Sequence, residues 1–369
     1  MVKTIGVIGG GQLARMMITP AQQLGLGIKV LAETEGSSAA LAATQVGDYT
    51  DLDTVRDFAK TVDVITFDHE HVPISILETL EAEGFNVQPN SRALVFAQNK
   101  LEMRRRLTEL GLPVPSWKAV SSVTEIAAFL EAHGSTAILK TPTGGYDGKG
   151  VIVVNDPAQA AGWFEKFDVL LIEEKVEFVR ELAQLSARSV SGQWLSWPVV
   201  QTIQRDGVCS EVLSPAPYAD FAKAADLAKA IAEGLNVTGV LAVEMFETAD
   251  GRLLVNELAM RPHNSGHFSI EGSFTSQFEQ HLRAVADLPL GSTTATQAFA
   301  VMLNLLGVDD SNTFIEHYPI ALATTGAHIH TYGKSARKGR KMGHITALSD
   351  VSLDEAKAIA SAAKQALHA

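Results

Sequence analysis

One cysteine, Cys209, is present among 369 residues, which excludes an internal disulfide and any CxxC site. That scarcity suits a reducing compartment. Positive charge is in deficit. Thirty Lys and Arg against 42 Asp and Glu leave a net charge of −12, which argues against non-specific nucleic-acid binding. A leader is not read at the start, because Lys3-Thr4-Ile5-Gly6-Val7-Ile8 is a strand pattern and not a signal peptide. A membrane span is not read either. The stretch poorest in charge, residues 288–308, holds Pro289, Gly291 and Gln297 and reads as a loop followed by a buried strand. Repeats and low-complexity tracts are lacking. What is there, 46% hydrophobic and 20% charged residues, is the balance of a globular chain long enough for two or three domains. The expectation is a cytoplasmic enzyme with no membrane or nucleic-acid partner.

Hydrophobic periodicity orders the chain. Strands are expected at 5–8, 28–32 and 64–67, with helices at 12–24, 52–61 and 74–83. Such alternation predicts a parallel sheet with helices on both faces. A charged helix at 101–110 leaves this unit and breaks at Gly111-Leu112-Pro113. A small α/β unit follows to about residue 173. Strands then dominate, at 181–189, 194–201, 239–247 and 252–258, covered by helices at 220–234 and 273–286. The tail carries short strands at 300–305, 327–332 and 344–348 and a closing helix at 352–367.

The most informative segment is Thr143-Gly144-Gly145-Tyr146-Asp147-Gly148-Lys149-Gly150, set between two apolar runs that read as strands. Its glycines let the backbone close over a ligand with N–H groups facing phosphate oxygens, and Lys140 and Lys149 add positive charge. It is not a P-loop, because Thr143 and Gly150 stand where Gly and Ser or Thr are required. At the N-terminus, Gly9-Gly10-Gly11-Gln12-Leu13-Ala14 satisfies a loose dinucleotide fingerprint with Glu33 near the end of the next strand. An oxidoreductase, a phosphorylated sugar at a helix N-terminus, and a plain tight turn all fit it.

An acidic hairpin follows further on. If Asp250-Gly251 makes a two-residue turn, Ala249 pairs with Arg252, and Glu244 then pairs with Glu257. Opposed residues share a face with Cβ atoms roughly 5 Å apart. Two carboxylates so placed repel unless a cation bridges them, and all-oxygen ligands suit Mg²⁺ held jointly with phosphates. The alternative is one solvated glutamate on each strand. Arg261-Pro262-His263-Asn264-Ser265-Gly266-His267 comes just after and can bind a small oxyanion or an acyl phosphate. A ligand-free polar loop, or zinc on the HxxxH pair, are the other readings. Lys334 to Lys341 holds five basic residues in eight and reads as a phosphate site or as a solvated hairpin tip. Asp68-His69-Glu70-His71 lies at a strand's C-terminal end, where Glu70 can take hydrogen bonds from a substrate or can cap a helix.

Together these segments resemble the ATP-grasp superfamily, and within it the 5-(carboxyamino)imidazole ribonucleotide synthetase family of purine biosynthesis. The resemblance runs over essentially the whole chain, through GGGQLARM, TGGYDGKG, NEL…RPHNSGH and GRKMGH. It implies an α/β and α+β chain: a Rossmann-like (pre-ATP-grasp) parallel-sheet domain over 1–95, an ATP-grasp domain over 96–290 and a small β-rich C-terminal domain over 291–369. The ATP-grasp part divides into a flap-bearing subdomain, 112–175, and a larger one, 176–290. The implied reaction joins bicarbonate to the amine of 5-aminoimidazole ribonucleotide through carboxyphosphate, consuming ATP with Mg²⁺, in a homodimer.

The resemblance also implies roles. Lys100 and Lys140 contact ATP phosphates, and Gly145, Tyr146, Asp147, Gly148, Lys149, Gly150 and Val151 form the flap. Glu173, Glu174, Lys175 and Val176 form the adenine linker, with backbone groups reading the base edge, Glu181 holds the ribose, and Gln204 and Asn256 complete the ATP site. Glu244 and Glu257 hold magnesium. The ribonucleotide and the bicarbonate-derived group meet Gly11, Gln12, Leu13, Glu70, Tyr146, Asp147, Lys149, Arg261, His263, Asn264, Ser265, Lys334 and Arg340. Among these, Asp147, Tyr146, Lys334, Glu70 and Arg340 are the catalytic candidates, with Asp147 orienting the exocyclic amine. Gln204 stands where the family often has His, so a proton-transfer role there is in doubt. Lys149 replaces an Arg of some members and loses a bidentate contact. A formate-dependent formyltransferase or a glycinamide ligase is the nearest rival within the superfamily.

Overall fold

The computed structural model describes residues 2–145, 150–308 and 316–367. Tyr146, Asp147, Gly148 and Lys149 lie outside the described residues. The first sheet contains β1 (Thr4–Ile8), β2 (Gly27–Ala32), β3 (Ala43–Val46) and β4 (Val64–Phe67), all parallel in the order β3-β2-β1-β4. Ile5, Val7 and Ile8 are fully buried, as expected for a strand covered on both faces. The helix Gln12–Gln23 buries Leu13, Ala14, Met17, Ile18 and Ala21, one stripe at helical spacing. That stripe packs with Phe278, Leu282 and Val285 of the helix Gln277–Val285, so this unit is tied to the rest of the chain by apolar contact.

The second sheet contains β5 (Trp117–Val120), β6 (Ala137–Lys140), β7 (Val151–Val154) and β8 (Leu170–Glu174), in the order β5-β8-β6-β7. Lys140 pairs with Val151, so the glycine-rich segment is the loop of the β6–β7 hairpin. The third sheet is assembled from β9 (Phe178–Arg188), β10 (Trp194–Ser196), β11 (Val200–Arg205), β12 (Val208–Ser214), β13 (Gly239–Thr248), β14 (Leu253–Ala259), β15 (Phe299–Leu306), β16 (Ala327–Thr331) and β17 (Lys341–Ser349). Its path is β14-β13-β9-β11-β12-β15-β17-β16, with β10 paired to β9. The tail strands therefore extend the preceding sheet through the β12–β15 pairing.

Three local features depart from expectation. The single strand expected at 194–201 is two, β10 and β11, separated at Trp197 and Pro198, because proline has no N–H for a ladder. Strand β12 buries Ser210, Glu211 and Ser214 and so shows no apolar run to read. The acidic hairpin turns through three residues. Thr248 N–H bonds Arg252 O at 3.0 Å, and Gly251 takes a left-handed φ of +77°. That loop alone would slip the register by one and face Glu244 with Asn256. A β-bulge between Met245↔Val255 and Glu244↔Glu257 leaves Asn256 as the extra residue and restores the carboxylate pair. The expected pairing holds, through a different turn.

Candidate active site

The carboxylate pair is the electrostatic centre. Glu244 and Glu257 are opposed on β13 and β14, and Glu181 lies diagonally from Glu244 on β9. Burial, and after it the charges of Glu257 and Glu181, push the Glu244 carboxyl up to about 8. Burial likewise raises the carboxyl of Glu181. Glu244 and Glu257, opposed on one face where repulsion and burial disfavour two unbridged charges, are a two-carboxylate donor set that fits a hard cation. Among the described residues no group of three or more His, Cys, Asp or Glu could hold a metal alone. A cation on Glu244 and Glu257 would then complete its shell from phosphate oxygens and water.

Cations surround the pair. The Asn99 side chain caps the helix Lys100–Glu109, accepting from Leu101 N and Glu102 N. Lys100 opens that helix, with Nζ 3.8 Å from Glu257 Oε1 and 3.3 Å from Gly144 O. It thus bridges the carboxylate pair and the glycine-rich loop. Lys140 Nζ lies 2.7 Å from Glu173 Oε2 and 3.0 Å from Asn256 Oδ1. Arg104, one helical turn after Lys100 and fully buried, pairs through Nε with Glu173 and donates from Nη2 to Asn256 O at 2.8 Å. Burial raises the Glu173 carboxyl, but Arg104 and Lys140 outweigh it and hold the group down to about 2. The Glu173 side chain therefore faces these cations, which leaves the backbone of residues 173–176 as the part of the linker expected to read a base edge.

Gly144, Gly145 and Gly150 all take positive φ, so the described parts of the loop adopt the turns that glycine permits. In the linker, Glu174 pairs back to Ser116 through both its N–H and its carboxylate, whereas Lys175 is exposed and Val176 partly so. Gln204 is half-buried at a β-bulge of β11.

The 261–265 loop runs from the carboxylate pair toward β4. His263 Nε2 is 3.4 Å from Glu244 Oε1, and burial, then Arg261 and Lys341, lower its pKa to about 3. Its Nδ1 meets Ser265 Oγ at 2.9 Å, so Ser265 orients the ring. Asn264 exchanges two side-chain hydrogen bonds with Asn304 of β15. Gln277, fully buried, accepts from His263 N and donates to His263 O, each at 2.8 Å. Glu70 accepts from Arg261 Nε at 2.6 Å and from Met260 N at 3.3 Å. Its carboxylate is thus engaged in aiming Arg261. The zinc reading fails on geometry: His267 is buried against Gln277 and His344, while His263 faces Glu244.

The basic segment is split by the β16–β17 hairpin. Arg337 and Lys338 are exposed at its tip, whereas Lys334, Arg340 and Lys341 are half-buried. Lys334 donates to Gln12 Oε1 and so reaches the glycine turn. Burial pulls its pKa down to about 8, against the charge of Asp68.

The glycine turn itself is unsuited to a dinucleotide. Glu33 Oε2 accepts Gly10 N–H at 3.0 Å and Oε1 meets His69 Nε2 at 3.1 Å. The His69 hydrogen bond, working against burial, holds the Glu33 carboxyl down to about 2. The Gly10 N–H is thus already taken by a carboxylate, which leaves it no free donor for a dinucleotide pyrophosphate. Asp68 Oδ1 takes Ala14 N–H at 2.8 Å. This sets the oxidoreductase reading aside. Arg104, Gln277 and Asn304 were not foreseen as site residues, and Asp68 reads in the sequence only as part of the acidic strand end. Of the first three, only Arg104, four residues after Lys100 on one helix face, carried a sequence signal.

Comparison with known proteins gives the same architecture. A family model described as an ATP-grasp domain matches residues 105–278. A ribonucleotide synthetase preATP-grasp domain matches residues 2–98, and a phosphoribosylaminoimidazole carboxylase C-terminal domain matches residues 300–358. The chain is 48% identical over 361 residues to N5-carboxyaminoimidazole ribonucleotide synthase of Mycobacterium tuberculosis, covering 94% of this chain and 84% of the relative. The carboxyaminoimidazole ribonucleotide synthase of Aspergillus clavatus, solved with ATP, superposes at a TM-score of 0.90 with 33% identity, over 99% of this chain and 98% of that one. The same values hold for the Aspergillus clavatus enzyme solved with ADP and 5-aminoimidazole ribonucleotide. Among the described residues no helix is long and apolar enough to cross a membrane. With a relative of this identity along nearly the whole chain, and solved structures of the same fold, the chain belongs to the N5-carboxyaminoimidazole ribonucleotide synthase family of ATP-grasp ligases.

Proposed function

We propose that the chain carboxylates the exocyclic amine of 5-aminoimidazole ribonucleotide with bicarbonate, at the expense of ATP, in purine biosynthesis. The observation that carries this reading is one continuous run of polar groups. It leads from the Glu244–Glu257 pair through His263, Arg261 and Glu70 to Asp68, Lys334 and Gln12 at the glycine turn. A triphosphate and a phosphorylated amine bound at its two ends would meet over the 261–265 loop.

A bicarbonate oxygen attacks the γ-phosphorus and ADP leaves, giving carboxyphosphate. The amine nitrogen then attacks the carbonyl carbon, phosphate departs, and the amine proton passes to a base. Lys100 and Lys140 neutralise the phosphate oxygens as charge shifts toward ADP. Arg261, aimed by Glu70, steadies the carboxylate oxygens of the intermediate. Glu244 and Glu257 would hold Mg²⁺, which would supply Lewis-acid neutralisation of phosphoryl charge. Asp147 is assigned to the amine, and the flap, with Tyr146 and Lys149, to excluding water. Lys334 and Arg340 receive the ribonucleotide phosphate, beside the N–H groups that open the helix Gln12–Gln23. The reading carries with it three units at 1–95, 96–290 and 291–369, a homodimer and a cytoplasmic location.

The test is ADP release with ATP and Mg²⁺, with and without ribonucleotide and bicarbonate. Release that requires both supports the reading. Release unaffected by the ribonucleotide, or restored by formate in place of bicarbonate, sinks it. A second expectation concerns Gly11→Ala, since a Cβ there would overlap Asp68 Oδ2 and force that side chain away from Ala14 N–H. KM for the ribonucleotide should rise about tenfold with KM for ATP nearly unchanged, the size of one displaced charge-assisted contact. Equal change in both constants would argue against a ribonucleotide site at this turn.

A further inference from the structure

We propose that Arg104 is a positioning residue that neutralises Glu173 so that the charge of Lys140 is left available to the nucleotide phosphates. The inference rests on the ATP site proposed above and goes beyond it, because Arg104 itself touches no ligand group in that reading.

The geometry is a closed cage of four residues from four elements. Arg104 comes from the helix Lys100–Glu109, Glu173 from β8, Lys140 from β6 and Asn256 from the bulge of β14. Arg104 meets one oxygen of Glu173, and Lys140 meets the other at 2.7 Å. Arg104 also holds Asn256 O at 2.8 Å while Lys140 holds Asn256 Oδ1 at 3.0 Å. Two cations share one anion, so the cage carries one net positive charge. Without Arg104, Glu173 and Lys140 would neutralise each other, and Lys140 would be drawn to Glu173 and away from a phosphate.

Stability alone does not account for such a cage. Arg104 and Glu173 are 0% and 2% exposed, and Arg104 Nη1 is buried with no hydrogen-bond partner among the described residues. A buried ion pair of this kind returns little net stability over an apolar replacement, because desolvation offsets the attraction. What the apolar replacement cannot supply is the net charge next to Asn256 and Glu257.

The experiment is calorimetric titration of wild-type chain, R104M, E173Q and R104M/E173Q with Mg·ATP and with AMP, each variant checked by thermal melting. R104M should bind Mg·ATP about 30-fold more weakly, as expected when Lys140 is captured and neutralised by Glu173 and no longer faces the phosphates, with AMP affected far less. In the E173Q background the anion is gone, so removing Arg104 should cost under about threefold, a coupling that independent sites do not show. A residue that only braces the fold would cost the same in both backgrounds. Should R104M fail to fold, comparing R104M/E173Q with E173Q still decides. Equal affinity of wild type and R104M, or a 30-fold loss in the E173Q background as well, overturns the role of Arg104. Wild-type chain that binds no nucleotide would instead overturn the ATP site.

Discussion

Replacing Glu257 by glutamine is expected to reduce ATP turnover by about a thousandfold while leaving the fold intact, the size seen when a charge-stabilising group of an active site is removed. Glu257 is opposed to Glu244 and lies 3.8 Å from Lys100. Glutamine keeps the volume and the strand but removes the anion that a divalent cation needs. The structure also sets the sign of the side effect. Burial pushes the Glu244 carboxyl up, and Glu257 adds to the push, so losing Glu257 relieves repulsion and should not destabilise the chain. ADP release across a magnesium titration, alongside a melting curve, checks both parts. Full activity at limiting magnesium would show that the carboxylate pair is not the metal site.

Arg261→Met is expected to lower kcat/KM by at least about a hundredfold and, unlike the first variant, to destabilise the chain by about 3 kcal/mol. The reason is Glu70, which is largely buried and accepts from Arg261 Nε at 2.6 Å. Methionine leaves that carboxylate with only Met260 N at 3.3 Å. The double variant with Glu70→Gln should recover stability, because no uncompensated charge is left, but not activity, because the guanidinium is still missing. Arg261→Lys should fold normally and recover activity only in part, since an ammonium cannot donate to Glu70 and to an oxyanion in the fixed fork of a guanidinium. Activity returning with stability in the Arg261→Met, Glu70→Gln chain would mean that Arg261 braces the loop and does no more.

Much of this site is legible in the sequence because its parts are local. The glycine-rich segment reads as a loop between strands and is the loop of the β6–β7 hairpin. The alternation of residues 1–95 reads as a parallel sheet, which the register of β1, β2 and β4 confirms, while β3 is an edge strand that the pattern does not show. The acidic hairpin shows the limit. Pairing of Glu244 with Glu257 follows from counting through a two-residue turn, yet the turn has three residues and the bulge at Asn256 cancels the slip. The bulge is itself held from outside the hairpin, by Arg104 and Lys140.

By itself, then, the sequence determined the elements whose signal lies within a few residues: periodic strands and helices, glycine turns, and the motifs that carry the family resemblance. Tertiary structure decided which partner each charged group takes. Glu70 reads as a substrate ligand or a helix cap, and only the fold shows that Arg261, from 191 residues away, is its partner. The Glu173 side chain has no partner legible in the sequence until Arg104, 69 residues before it, is brought alongside. The basic cluster divides into Lys334, Arg340 and Lys341 inside and Arg337 and Lys338 outside only once β16 and β17 form their hairpin. The physical reason is range. Backbone preference and hydrophobic period act over a turn or a strand, whereas a buried charge is satisfied by whatever the fold places within hydrogen-bond reach.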